Sequence, residues 1–278
     1  MTQKNILKLS CKDQPGIVAA VSGYLFEKGA NIASSAQFED ADSGNFFLRT
    51  VFASDADLSA GFAPIAKRFG MEWSMRPESK KPKILVMVSK AGHCISDLLY
   101  RQSIGDLPAD ILAIVGNHPR DVLEVRDLND VPYHHLPVTP STKKQQEAAL
   151  QDIVVKTGAD LVVLARYMQV LSDDFCRNHA GRIINIHHSF LPGFKGAKPY
   201  HQAHARGVKL IGATAHYVTA DLDEGPIIEQ DVERITHAAT PDDMVAVGRD
   251  IERRVLTRAV TLHCQDRVCL AGHRTIIL

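Results

Sequence analysis

The sequence has no excess of charge of either sign and no long apolar run. Its 32 lysines and arginines balance its 32 aspartates and glutamates without a basic block, which argues against a nucleic-acid partner. No apolar run approaches the roughly twenty residues of a membrane span, and residues 1–6 lack the apolar core of a signal peptide. We therefore expect a cytoplasmic protein with no nucleic-acid partner and no membrane partner.

Cysteine is scarce. The chain has five cysteines, scattered and odd in number, which suits reduced thiols in a cytosol. Cys264 and Cys269 lie close together, but no second pair completes a zinc site. Packing roles are the expected ones. We expect no metal ion and no permanently bound cofactor.

One polar segment with two prolines, residues 76–83, interrupts the chain. Proline removes a backbone donor and favours extended conformation before it, so this segment is the best candidate for a linker. The length of 278 residues is enough for two ordinary domains. The sequence predicts a first domain over residues 1–78, a linker over residues 79–83 and a second domain over residues 84–278.

The first domain reads as strand, helix, strand, strand, helix, strand. That order is the ferredoxin-like split arrangement. The first helix is expected to start within Asp13–Gly16, with Asp13 or Gln14 near the cap and Pro15 in the first turn. Gly29 is expected to end it. The remaining strands and the second helix are expected at Ile32–Phe38, Phe46–Phe52, Leu58–Phe69 and Met71–Met75.

The second domain alternates strands and helices. The almost wholly apolar stretch Lys83–Ser89 is typical of a buried parallel strand, and Asp110–Val115 and Asp160–Ala165 are the next strands. The alternation predicts an α/β fold with an open, mostly parallel, Rossmann-like sheet. In such sheets ligands bind beyond the carboxyl ends of the strands.

Polar side chains with catalytic chemistry follow two of the later apolar runs. Asn185 and His187 end the run that begins at Ile183, and residues two apart on a strand share a face. A second β-like run delivers His216 and then Asp223 in an acidic loop. An amide can donate to an oxyanion, an imidazole can move protons, and a carboxylate can hold the imidazole or activate water. The set suits a reaction at a carbonyl carbon.

These residues, with Ser189–Gly193 after the histidine, resemble the formyltransferase superfamily that uses 10-formyltetrahydrofolate. The resemblance runs from about Lys83 to about Val268 and implies that Asn185, His187 and Asp223 are the catalytic trio. It also implies two segments against the folate ring, the first acting mainly through its main chain. Their residues are Gln169, Val170 and Leu171, and then Asp221, Leu222 and Glu224.

In the first domain, Asp13–Val18 and Gly29–Ile32 look like an ACT domain. Members of that family bind small effectors, often amino acids. The resemblance implies a regulatory domain with glycine or methionine as effector and a homotetrameric assembly. A structural module with an empty effector site is the alternative.

The formyl acceptor decides the reaction. Relatives that formylate glycinamide ribonucleotide carry Gly-Ser-Asn after the first strand, whereas Lys90–Cys94 has neither the serine nor the asparagine. We expect no appended tRNA-binding domain either. An ACT-like domain fused to a formyltransferase-like domain resembles the deformylases of 10-formyltetrahydrofolate. The resemblance implies hydrolysis to formate and tetrahydrofolate, which would supply formate, balance the one-carbon folate pool and serve purine biosynthesis.

Three alternatives stay open at this stage. The first is a formyltransferase that delivers the formyl group to a small amine. The second is a metal hydrolase that uses His187, His188, His201 and His216, although adjacent residues of a strand face opposite sides. The third is an amino-acid sensor whose second domain is inert.

Overall fold

The structure is a computed structural model that describes residues 2–193 and 199–278. The chain folds into two compact units, one formed by Met1–Lys81 together with Leu262–Leu278 and the other by Pro82–Thr261. Among the described residues, no helix is both long enough and apolar enough to cross a bilayer. The five cysteines are all buried.

The first unit has the predicted βαββαβ order. Its elements are β1 Lys4–Lys12, α1 Ile17–Glu27, β2 Asn31–Asp40, β3 Asn45–Ala53, α2 Ser59–Phe69 and β4 Glu72–Pro77. The four strands form one sheet in the order β2-β3-β1-β4, with each neighbouring pair antiparallel. Leu7 and Leu9 of β1 pack in one core with Leu25 of α1 and Phe62 of α2.

Helix α1 begins later than the sequence suggested. The expected caps, Asp13 and Gln14, precede a turn at residues 15 and 16, and the helix begins at Ile17. Gly16 occupies the cap position with a φ of 95°, a left-handed conformation that glycine adopts without steric cost. The turn through Gly16 therefore sets the start of the helix, and no side chain caps it.

The second unit is built on a seven-stranded, mostly parallel sheet. Its strands are β5 Lys83–Val88, β6 Asp110–Gly116, β7 Tyr133–His135, β8 Leu161–Leu164, β9 Ile183–His187, β10 Leu210–Tyr217 and β11 Ile227–Arg234. The helices are α3 His93–Ser103, α4 Lys143–Thr157, α5 Asp173–Asn178, α6 Pro199–Arg206 and α7 Pro241–Cys264. The order is β11-β10-β9-β8-β5-β6-β7, and only the pairings of β10 are antiparallel.

The C-terminal segment departs from the predicted second domain of residues 84–278. Leu262–Leu278 packs in the first unit and contains a hairpin of β12 Val268–Ala271 and β13 Arg274–Ile277. Phe47 of β3 is 1% exposed and forms one apolar cluster with Cys269, Ala271 and Leu278. The hairpin therefore shields apolar side chains of β3 that would otherwise face water.

Polar contacts hold the same segment in the first unit. The Arg76 guanidinium lies 2.6 Å from the Asp266 carboxylate and donates to the carbonyl of Cys264. Arg49 donates to the carbonyl of Gln265, and Lys8 donates to that of Val268. Backbone carbonyls are thus satisfied by charged donors from the sheet, which fixes the path of the chain after α7.

Candidate active site

Three polar side chains meet where β9 and β10 lie side by side. Asn185 and His187 share a face of β9 near its carboxyl end, as the spacing of two predicts. The antiparallel register pairs His216 of β10 with Asn185 and Thr214 with His187. His187 and His216 are buried, and Asn185 is half-buried.

Asp223 reaches these histidines from the loop between β10 and β11. Its carboxylate lies 3.3 Å from Nδ1 of His187 and 3.7 Å from Nε2 of His216. Its backbone is left-handed, with a φ of 57°, a conformation that aspartate tolerates better than most residues. A Cβ at Gly225 would overlap the carbonyl oxygen of Tyr217, so only glycine lets the loop return this closely to β10.

Hydrogen-bond partners fix the tautomers of the two histidines. Nδ1 of His216 lies 2.9 Å from the carbonyl oxygen of Tyr217, an acceptor, so Nδ1 carries the proton. In the neutral ring, Nε2 then accepts from the Asn185 amide at 3.3 Å. Nδ1 of His187 faces the Asp223 carboxylate and donates to it. Nε2 of His187 is buried and has no hydrogen-bond partner in the described residues.

Asp223 is ionised at neutral pH. Burial raises the pKa of its carboxyl, but the neighbouring His187 and His216 lower it by more, so the pKa is well below its usual range. An ionised carboxylate that accepts from Nδ1 fixes the tautomer in which Nε2 of the same ring carries the lone pair. His187 therefore presents a basic lone pair, and Asn185 can offer its second amide hydrogen.

These groups line a cavity of about 190 Å³. The segment after β8 lines one part of it and the loop after β10 another. Five of the residues predicted to contact folate are in the lining, namely Gln169, Val170, Leu171, Asp221 and Leu222. Val170 and Leu222 are 57% and 63% exposed, so apolar surface is available at the mouth for a flat ring.

Glu224, also predicted to contact folate, does not line this cavity. Its side chain is exposed, and its backbone N–H donates to the carbonyl of Asp221 within the turn. The left-handed backbone at Asp223 turns the chain between the two residues, which separates Glu224 from the lining.

A second buried polar cluster centres on Glu252 of α7, which is 1% exposed. It accepts from the Tyr200 hydroxyl at 2.7 Å and lies 2.8 Å from Nε2 of His93. Nε of Arg166 lies 3.3 Å from the same carboxylate. Burial raises the pKa of Glu252, but His93 and Arg166 lower it by more, so the group stays charged. His93, the first residue of α3, is thus paired with a glutamate.

The residue types around Glu252 also meet the spacing of a metal site. Ligand atoms of His93, Cys94 and Glu252 lie within 4.8 Å of one another. Burial raises the pKa of the Cys94 thiol well above its ordinary value, so it is a poor ligand, and the Arg166 cation opposes a second positive charge. The cluster is better suited to hydrogen bonding than to metal binding.

The histidines of the metal-hydrolase hypothesis are arranged differently from the expectation. His187 and His188 line the same cavity with ring centroids 5.3 Å apart, so the prediction that they face opposite sides was wrong. The reason is that β9 ends at His187 and strand alternation does not extend to His188. His201 is exposed on α6. Within residues 2–193 and 199–278, these histidines do not form a group with ligand spacing.

His188 is held neutral. Burial, and then the positive charge of Arg166, lower the pKa of its imidazole from 6.5 to about 4. Its ring also lies near Tyr200, with centroids 6.3 Å apart. At neutral pH His188 is therefore an uncharged spacer between the Glu252 cluster and His187.

His188 makes stability fall in acid. The unfolded chain binds a proton at this residue below about pH 6.5, whereas the folded protein resists it down to about pH 4. Between neutral pH and about pH 5, wild type should lose about 2 kcal/mol more unfolding free energy than the His188→Gln variant. Urea unfolding followed by circular dichroism measures this difference. Equal losses in both proteins would show that His188 does not titrate in this range.

The sequence did not assign roles to three of these residues. His216 was visible, and its strand partner Asn185 was the signal that could have assigned it. Arg166 carries no sequence signal, because its left-handed backbone and burial appear only in the folded chain. Glu252 was visible on a helix, but its partners come from three other segments.

Comparison with known proteins matches a different family to each of the two units. The Formyl transferase family matches residues 82–260, and the ACT domain family matches residues 5–69. A formyltetrahydrofolate deformylase of Corynebacterium sp. (strain P-1) is 48% identical over 281 aligned residues, covering 99% of this chain and 98% of the relative. The solved structure of a formyltetrahydrofolate deformylase from Burkholderia mallei ATCC 23344 has 51% identity and a TM-score of 0.94, with 99% of both chains covered.

A transferase shares only part of the chain. The structure of glycinamide ribonucleotide transformylase 1 from Symbiobacterium toebii is 29% identical and has a TM-score of 0.64. It covers 71% of this chain and 94% of its own. The full-length likeness is therefore to proteins that carry the ACT domain as well.

Proposed function

Because the chain belongs to the formyltetrahydrofolate deformylase family, we propose that Asn185, His187 and Asp223 carry out the hydrolysis of 10-formyltetrahydrofolate to formate and tetrahydrofolate. The observation that supports this assignment most strongly is the buried Nε2 of His187. His187 lines the cavity, its Nε2 has no partner among the described residues, and its Nδ1 is held by an ionised Asp223. Such a nitrogen is suited to general base catalysis.

The chemistry would proceed in two steps. Nε2 of His187 takes a proton from water as the water oxygen adds to the formyl carbon, and Asp223 stabilises the imidazolium through Nδ1. The Asn185 amide donates to the oxyanion that forms on the carbon. His187 then returns the proton to N10 as the C–N10 bond breaks, leaving tetrahydrofolate and formic acid. Formic acid loses its proton to give formate.

The same cavity supports a folate site. Main-chain groups of residues 169–171 would read the polar edge of the pteridine ring, while Asp221 and Leu222 close its other side. The exposed apolar surface of Val170 and Leu222 supports this placement. A flat, partly apolar ring would cover both side chains and exclude water from the reacting carbon.

Water is the acceptor that the surroundings favour. In a transferase, the segment after β5 has to leave room for an amine substrate, whereas here His93 and Tyr200 each contact the Glu252 carboxylate. With His93, Tyr200 and Arg166 around it, the Glu252 carboxylate has most of its acceptor sites facing protein groups rather than an amine. This arrangement argues against delivery of the formyl group to a small amine.

Adding glycinamide ribonucleotide at millimolar concentration should leave the rate of formate release unchanged and give no formylated product. Formate and formylated amine are measured together by mass spectrometry, because a shift between the two products reveals a competing acceptor. Phosphate at the same concentration controls for a simple anion effect. Formylated product forming faster than free formate would favour the transferase.

The ACT domain indicates regulation by an amino acid. We propose glycine or methionine as the effector, a homotetramer as the assembly and the cytoplasm as the location, to which the reduced-thiol composition is suited. Titrating each amino acid against turnover should change the rate for one of them in the full chain. Flat curves for both, with sedimentation showing a monomer, would contradict the effector and the assembly.

A further inference from the structure

Arg166 occupies a backbone conformation that a side chain makes unfavourable. It follows β8 with a φ of 62°, in the left-handed region where glycine has no steric cost. Non-glycine residues in such positions are concentrated at functional sites, where the surrounding structure enforces them. The side chain, rather than the backbone, is therefore what this position requires.

The guanidinium of Arg166 has donors to spare. Nε and Nη1 are buried and make no hydrogen bond within the described residues. Nε lies 3.3 Å from the Glu252 carboxylate, close enough for ionic attraction but without hydrogen-bond geometry. Glu252 meanwhile accepts from Tyr200 and is paired with His93. Glu252 balances the charge of Arg166, but Nε and Nη1 are left without a hydrogen bond, which is costly for buried donors.

Arg166 lines the same cavity as the catalytic trio. Arg166 and His187, which both keep unused hydrogen-bonding capacity, therefore belong to the lining of one small volume. The Asp223 carboxylate would repel an anion there, but it accepts from Nδ1 of His187 at 3.3 Å, which partly screens its charge. A small, planar anion with two oxygens would pair with the guanidinium.

We infer that Arg166 binds the carboxylate of formate as hydrolysis produces it, an inference that rests on the proposed hydrolysis. When water adds to the formyl carbon, the C–N10 bond breaks, N10 gains a proton, and the released acid loses one. The product is an anion with two equivalent oxygens, which matches a guanidinium fork. Transfer to an amine yields a neutral amide and forms no carboxylate. An anion site beside the trio is therefore a requirement of hydrolysis alone.

Formate inhibition of the full-length protein tests this role. Formate and its neutral analogue formamide are compared as inhibitors in wild type, Arg166→Gly and Arg166→Lys. Glycine suits the backbone at this position, so the first variant should stay folded. Its inhibition constant for formate should rise about tenfold or more, as expected for loss of a charge-assisted pair, while that for formamide stays within about twofold. Arg166→Lys keeps the charge without the paired donors, so its inhibition constant for formate should lie between those of wild type and Arg166→Gly.

Asp130→Gly is the matched control. Asp130 also has a left-handed backbone, with a φ of 61°, but is exposed and lies outside the cavity lining. This change should leave formate inhibition and turnover as in wild type. Guanidinium ion added to Arg166→Gly should restore part of the formate inhibition, which a merely structural role would not allow.

Two outcomes would overturn the inference. An unchanged formate constant with reduced turnover would mean that Arg166 only positions Glu252. An unchanged inhibition constant for formate with a tenfold rise in KM for the folate would mean that Arg166 binds a carboxylate of the folate tail instead. Line broadening of ¹³C-labelled formate measures formate binding to the same variants without any turnover. Failure of hydrolysis itself is therefore distinguishable from failure of this inference.

Discussion

Replacing Asp223 by asparagine is expected to lower kcat by about a thousandfold while the protein stays folded. The amide has the same shape, and asparagine also tolerates the left-handed backbone at this position, so packing of the loop should be kept. What is lost is the negative charge that holds the tautomer of His187 and stabilises its protonated ring. Without that charge, the imidazolium that forms during proton transfer loses its stabilisation.

Single-turnover formate release measures this effect, and circular dichroism checks the fold. Asp130→Asn makes the same chemical change in a second loop aspartate with a left-handed backbone. Asp130, unlike Asp223, is exposed, so this variant should have wild-type kinetics. A kcat within about threefold of wild type in Asp223→Asn would remove the carboxylate from the mechanism, because a general base normally contributes far more.

Replacing Asn185 by alanine should lower kcat by about a hundredfold or more, the usual cost of losing one oxyanion donor. The amide would donate to an oxygen that becomes charged only in the transition state, so KM for the folate should change little. The neighbouring contact to His216 at 3.3 Å would also be lost, but Tyr217 still fixes that ring through Nδ1.

The split between kcat and KM distinguishes this role from a binding role. Asn178→Ala, on the exposed end of α5, removes the same amide away from the cavity and should leave both constants unchanged. A raised KM with normal kcat in Asn185→Ala would mean that Asn185 only binds the substrate.

The fold class was predictable from the sequence because both units have strong local signals. The apolar stretch at β5 indicates a buried strand, and the periodic apolar residues after Gly16 indicate a helix. The order of strands and helices distinguishes the ACT fold of the first unit from the parallel α/β fold of the second. The start of α1 was less predictable, since a proline and a glycine in a row can open a helix or form a turn before it. Here Gly16 makes the turn.

The C-terminal hairpin was not predictable from local pattern. Cys269, Ala271 and Leu278 find their partner at Phe47, more than two hundred residues earlier in the chain. No spacing rule connects positions so far apart, and the short strands β12 and β13 carry little apolar periodicity of their own. The hairpin follows from the need to cover one face of β3.

The grouping of Asn185, His187 and Asp223 was predictable, and the surroundings of these side chains were not. Asn185, His187 and Asp223 are recognisable because strand spacing and one loop motif bring them together. The Glu252 cluster depends on residues from four segments, and the role inferred for Arg166 depends on a backbone angle and on donors without partners. Such features arise from tertiary packing rather than from propensity.

The source of the oxygen in the product tests the central claim most directly. The purified full-length protein is mixed with 10-formyltetrahydrofolate in ¹⁸O-labelled water, with no amine acceptor present, and the formate is analysed by mass spectrometry. Hydrolysis by the trio predicts rapid formate release with one oxygen from the solvent, and loss of that release in Asp223→Asn. Two results would contradict it: substrate that stays intact after prolonged incubation with the wild-type protein, or equal formate release from wild type and Asp223→Asn.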